Sequence, residues 1–95
     1  MSLIVGLLSI ECYLPAAQSL KDKRMVLRAV KDRLKKFNVS VAEVDHQQLW
    51  QRAGLAIVSV SNERELVDQT FSAALDEIER AEPGLVARSE IEWLA

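Results

Sequence analysis

The chain has 95 residues, with twelve Lys and Arg against fourteen Asp and Glu and a formal net charge of −2. That length suits one domain, residues 1–95, and an apolar share of 49% with 27% charged residues suits a globular fold. The charge balance excludes a uniformly basic nucleic-acid binder and leaves only a local patch, while a single cysteine, Cys12, excludes an internal disulfide and fits a reducing compartment.

Residues 3–14, LIVGLLSIECYL, predict a first strand, apolar on both faces at its start and bounded by Pro15. Its second half alternates, with Ile10, Cys12 and Leu14 on one face and Ser9, Glu11 and Tyr13 on the other. The run has no basic leader, is interrupted by Glu11 and is too short to span a bilayer. The expectation is a cytoplasmic protein with no membrane partner.

Ser19 reads as an N-cap with Asp22 three residues on, opening a helix over 20–36. Leu20, Leu27, Val30, Leu34 and Phe37 share its apolar face, with Val26 at the margin. Residues 39–45 alternate as a second strand, and 46–53 form a connection or the tip of a long hairpin. Residues 54–61 make a third strand, with Ala56, Val58 and Val60 on one face. Asn62 with Glu65 resembles a capping box for a second helix, whose buried stripe is Leu66, Val67, Thr70, Phe71, Ala74, Leu75 and Ile78. Pro83 and Gly84 end it, and residues 85–94 form the last strand. The order β-α-β-β-α-β predicts an α+β, ferredoxin-like sandwich: a four-stranded antiparallel sheet with both helices on one face.

Few residues point to chemistry. His46, beside Asp45 in a connection, has no nucleophile or orienting partner nearby in sequence. One His and one Cys offer too few ligands for a metal, and Cys12 on an apolar strand face reads as structural. The three glycines are scattered, so no glycine-rich phosphate loop or nucleotide cofactor site is expected. The same topology serves acylphosphatases, but the first strand-to-helix loop here, PAAQ, carries no Arg and no glycine nest. It also serves RNA-recognition motifs, which stack bases on aromatics of the open sheet face. That face is expected to carry Ser9, Glu11, Tyr13, Glu43, Asp45, Ser59, Ser61, Arg88, Glu90 and Glu92, with one aromatic and an excess of carboxylates. The reading is a non-enzymatic protein without cofactor, metal or catalytic residues.

Charge concentrates in one place. Residues 19–36 hold eight of the twelve Lys and Arg and only two Asp. On a helix, Lys21, Arg24, Arg28, Lys31 and Lys35 fall on a stripe about 80° wide and roughly 20 Å long. Asp22 and Asp32 lie outside it. Three readings stay open: a solvated face compensated by the acidic second helix, a surface that tracks phosphates, and a dock for an acidic protein. Lys23 falls inside the apolar sector, from which it is expected to snorkel past the sheet edge or make a more specific contact. The candidate RNA-binding set is Lys21, Lys23, Arg24, Arg28, Lys31 and Lys35.

Leu3, Val5 and Leu7, with Leu55 and Ile57, predict an apolar patch at one end of the open face, to which Leu49, Trp50 and Trp93 add. A homodimer through this face would close it, or the second hairpin would fold back with Trp50 over it.

The segments SLKDKR (19–24), FNVSVAEVD (37–45), LWQRA (49–53) and VSVSN (58–62) together resemble the YlxP-like family of small bacterial proteins of unknown function. The resemblance covers nearly the whole chain and implies the ferredoxin-like fold already read. Members are often encoded beside transcription-elongation, translation-initiation and ribosome-maturation factors, which implies work near RNA or a ribosomal particle. The motif positions carried over are Ser19, Leu20, Lys21, Lys23, Arg24, Phe37, Asn38, Glu43 and Trp50. The combined expectation is an RNA- or ribosome-associated protein acting through its first helix, with a protein-interaction or small-ligand module on the open face as the alternative.

Overall fold

The computed structural model describes all 95 residues. In chain order it has β1 (Ile4–Tyr13), α1 (Leu20–Leu34), β2 (Ser40–Asp45), β3 (Arg52–Ser61), α2 (Arg64–Ala81) and β4 (Val86–Trp93). The sheet runs β2-β3-β1-β4 with every neighbouring pair antiparallel, the ferredoxin-like arrangement expected from the pattern. β1 and β3 are central because their apolar runs are buried by the helices, while β2 and β4 form the edges.

The core lies between one sheet face and the two helices. Leu8, Ile10 and Cys12 of β1 meet Leu27, Val30 and Leu34 of α1 and Val67, Phe71, Ala74 and Ile78 of α2. The closest approach is at Gly6, where a Cβ would come within 2.7 Å of Val67 Cγ1 and 2.9 Å of Phe71 Cε2. Only a residue without a side chain lets α2 pack this near β1. Trp93 of β4 lies opposite Gly6, and Arg64 stacks on its ring at 4.2 Å. Trp93 therefore belongs to the helix side rather than to the open-face patch.

Caps set the helix ends. The Ser19 hydroxyl accepts from the Asp22 amide at 3.0 Å, and the Asp22 carboxylate accepts from the Gln18 amide at 3.0 Å, so the expected start of α1 holds. The helix ends at Leu34, two residues before the expected end, as Phe37 and Lys35 bond back to Leu34 and Asp32. In α2 the cap position is Glu63, not Asn62. The Ser61 hydroxyl accepts from the Glu63 amide at 3.3 Å, which starts the helix one residue later.

Two strand phases differ from expectation. Leu55 and Ile57 pair with Ile10 and Leu8 beneath the helices and are buried, whereas Ala56, Val58 and Val60 lie opposite Ser9, Leu7 and Val5 on the open face. Ser59 also points inward, its hydroxyl donating to the Asn38 carbonyl at 2.7 Å. In β2, Val41 and Glu43 pair with Ile57 and Leu55 on the helix side, and an irregularity after Glu43 returns Asp45 to the open face beside Gly54. The open face thus has a largely apolar half (Val5, Leu7, Ala56, Val58, Val60), with exposed Glu92 beside Leu7 at its β4 edge, and a charged half (Glu11, Asp45, Arg52, Arg88, Glu90).

Candidate nucleic-acid interface

The basic stripe on α1 divides in the structure. Lys21, Arg24 and Arg28 are exposed, Lys31 is half-buried, and none of the four has a carboxylate within ion-pair distance. Arg24, Arg28 and Lys31 line a shallow cavity of about 200 Å³ with Leu27 and Glu43, so the stripe faces the β2 edge. Lys35, at its far end, pairs with Asp32 at 3.0 Å.

The acidic helix α2 does compensate cations of α1, but different ones. Buried Glu77 receives Arg33 at 3.2 Å, Lys36 at 3.1 Å and Arg80 at 2.9 Å. Hydrogen bonds from Arg80, Lys36 and Arg33 hold its carboxyl down at about 2 against the usual 4.5. Glu77 takes up the charge on the α2-facing flank and leaves the β2-facing flank unpaired.

Lys23 is not a surface cation. It is 1% exposed, and its ammonium contacts Glu43 Oε2 at 2.9 Å and the carbonyls of His46, Gln47 and Arg52 at 2.8, 3.3 and 3.3 Å. The Glu43 carboxylate sits off the hydrogen-bonding direction, so their attraction is coulombic. Three N–H groups already meet protein oxygens, and Lys23 leaves the RNA-contacting set for that reason. Its buried position is what its place in the apolar sector signalled, with the more specific contact taking the place of snorkelling. Glu43 leaves the open face for the same reason, and the loss makes that face less acidic than expected.

The hairpin between β2 and β3 is fixed by this contact and by others. Gln51 Nε2 donates to the carbonyls of Pro15 and Ala17 at 3.1 and 3.2 Å, and the Leu14 amide donates to the Gln51 carbonyl at 2.9 Å. His46 turns the chain at φ 60, a conformation costly for a side chain with a Cβ. Its Nε2 lies 2.9 Å from Glu11 Oε1 and 3.2 Å from Arg52 Nη2. An Nε2 that carries hydrogen would donate to Glu11, and an Nε2 without one would accept from Arg52. Arg52 donates to Glu11 through Nε and Nη2 at 3.1 and 2.6 Å, and this contact, with His46 adding to it, lowers the Glu11 pKa. Glu11 lies 35 positions before His46 and Arg52 six after it, across the hairpin, so reading His46 beside its immediate neighbours found neither.

Elsewhere the chemistry is spare. The cavity under the 15–18 loop carries Asp22 and Glu82 and no Lys or Arg, a setting that repels anions. Burial first, with Glu11 and Glu43 adding to it, pushes the Cys12 thiol up to about 12. No group of three or more His, Cys, Asp or Glu is placed to hold a metal ion. No helix is long and apolar enough to cross a membrane.

The ferredoxin-like fold is a scaffold used by many unrelated proteins. This chain belongs to the family described as "Protein of unknown function (DUF503)", whose model matches residues 5–91. It is 37% identical over 73 residues to the "Uncharacterized protein YlxP" of Bacillus subtilis (strain 168), covering 76% of this chain and 79% of that protein. Among solved structures it superposes on the de novo designed protein Foldit4 with a TM-score of 0.60 at 11% identity, over 99% of this chain and 98% of that one. A putative antibiotic biosynthesis monooxygenase from Chloroflexus aurantiacus J-10-fl gives 0.58 at 11% identity, over 97% and 93%. SnoaB, a cofactor-independent oxygenase from Streptomyces nogalater, gives 0.55 at 7%, over 100% and 93%. At such identities the likeness concerns the fold alone.

Proposed function

We propose that this protein is a non-enzymatic, cytoplasmic RNA-binding protein that meets structured RNA or a ribosomal particle through Lys21, Arg24, Arg28 and Lys31 of α1. The observation that supports this reading is that these four cations share one flank without a counter-ion, while neighbouring Arg33, Lys36 and Lys35 are all paired. Like charges three and four residues apart cost a helix a few tenths of a kcal/mol each, a cost that a solvated face with mixed signs avoids. Phosphates would relieve it. Their neutralisation releases counter-ions, so four contacts imply a slope of log K against log salt of about −3. The test is RNA affinity of the Arg24→Glu, Arg28→Glu, Lys31→Glu triple variant, with its fold checked by circular dichroism. Affinity should collapse at low salt, and a folded variant with unchanged affinity refutes the proposal. Co-sedimentation with ribosomal particles at low and high salt reads the same interaction in lysate.

A second reading concerns assembly. The apolar half of the open face, with Val60 47% and Leu3 51% exposed, favours a homodimer closed over that half. Sedimentation of the wild type against Val58→Lys tests it, since a buried charge at the seam gives a monomer. Unchanged sedimentation excludes that seam.

A further inference from the structure

We infer that the crevice between Tyr13 and the hairpin tip at Trp50 is a stacking site for an unpaired nucleobase. The inference rests on the reading of α1 as an RNA surface and adds to it where the bases go. Tyr13, Trp50 and Leu49 are 51%, 53% and 46% exposed. With Gln48, Gln51 and Arg52 they line an open crevice of about 420 Å³, within the range of small-ligand sites. Tyr13 and Arg52 are direct cross-strand partners, so ring and guanidinium stand side by side on the open face.

What singles out this crevice is how firmly the backbone that carries its half-exposed aromatics is held. A free hairpin tip would turn its indole inward against the nearest apolar surface. Here Lys23 ties down the backbone on both sides of Trp50, at His46 and Gln47 before it and at Arg52 after it. Gln51, next to Trp50, bolts the hairpin to the loop that precedes α1. Rings held out on a fixed backbone lose little freedom when a flat ligand stacks on them. The polar rim suits a base edge. Gln48 has no partner within the chain, and Arg52 gives Nε and Nη2 to Glu11 while keeping Nη1 free.

Charge decides between a base and another apolar surface. Lys21 and Arg24, the start of the unpaired stripe, flank Lys23 in the chain, and Lys23 touches this hairpin. A strand whose phosphates follow the stripe therefore reaches the hairpin end of the molecule. The apolar half of the open face, which suits a second copy, lies at the other end of β1, around Val5 and Leu7. A dimer there leaves the crevice open.

The test uses the full chain, a short single-stranded RNA of mixed sequence and a blunt duplex of the same sequence. A Trp93→Phe background leaves Trp50 as the sole indole. Single-stranded RNA should quench its emission, and the duplex should not. Trp50→Leu and Tyr13→Leu should each weaken single-strand binding by about five- to 150-fold, the range for losing one stacked base, with duplex affinity unchanged. Both residues are half-exposed, so the variants should fold, and circular dichroism checks this. If the double variant binds the single strand like the wild type while the α1 triple variant loses it, this inference is overturned and the helix reading stands. If the wild type binds neither RNA, both are overturned. If Trp50→Leu changes only the sedimentation of the protein, the crevice is a contact between copies and the inference is again overturned.

Discussion

Replacing Lys23 with Met keeps the aliphatic stem and removes the ammonium. The change strands the Glu43 carboxylate, 19% exposed, together with the His46, Gln47 and Arg52 carbonyls that now receive N–H groups. Removing one partner of a buried pair costs about 3–5 kcal/mol. Glu43 keeps some access to water, which places this case at the lower end, about 3 kcal/mol. For a domain of this size, each kcal/mol lowers Tm by about 4–8 °C, so a fall of roughly 12–24 °C is expected. A Glu43→Gln change should cost less, because Lys23 keeps its three carbonyls, and the two together should cost less than their sum, with a coupling of about 0.5–3 kcal/mol. Thermal and urea unfolding of the four proteins measure the cycle. Amide exchange should speed up in residues 46–52 and not in β1. A Lys23→Met protein within about 1 kcal/mol of wild type, with the hairpin as protected as before, would refute the claim that this lysine holds the hairpin.

Other tests reach the rest of the fold. Glu77, held at about 2 in the folded chain and near 4.5 when unfolded, stabilises above the higher value, and its contribution fades as pH falls through the lower. Urea unfolding across that range should show a loss that Glu77→Gln lacks, and Glu77→Gln should be the less stable at neutral pH. Gly6→Ala forces α2 away from β1 and should cost about 1–3 kcal/mol in thermal unfolding. Cys12, buried with its thiol at about 12, should resist thiol reagents at mildly alkaline pH in the native protein and react at once in denaturant.

The element order, the Ser19 cap and the alignment of the basic stripe were legible in the sequence, because each rests on neighbours within about a turn of helix or a few strand residues, whereas which of its cations are paired was not, Lys35 pairing with Asp32. The phase of β3 was not. Residues 54–60 are apolar on both parities, so alternation alone does not say which side is buried, and the deciding contacts come from β1 and from Asn38. Glu43 was misread as an open-face carboxylate because its partner Lys23 lies twenty positions away on α1, and compensation of α1 by the acidic second helix was foreseen without showing that it falls on Glu77 and on Arg33 and Lys36. The hairpin crevice was hidden in the same way. Tyr13 and Trp50 were both visible as aromatics, but only the register of Tyr13 with Arg52 brings them to one place.

The two ion clusters have a mechanical consequence for α1. Lys23 is pinned in the helix's first turns, and Arg33 and Lys36 are pinned at and beyond its last. A cylinder held at both ends cannot roll. A slip of one residue would turn it by about 100° and carry the free cations off the β2 edge. Each pin is an oppositely charged pair with one partner buried, so the bearing of the stripe is set by contacts outside the stripe itself. A ligand meeting that flank finds its charges already aimed, and weakening either pin should blur the aim before it unfolds the protein.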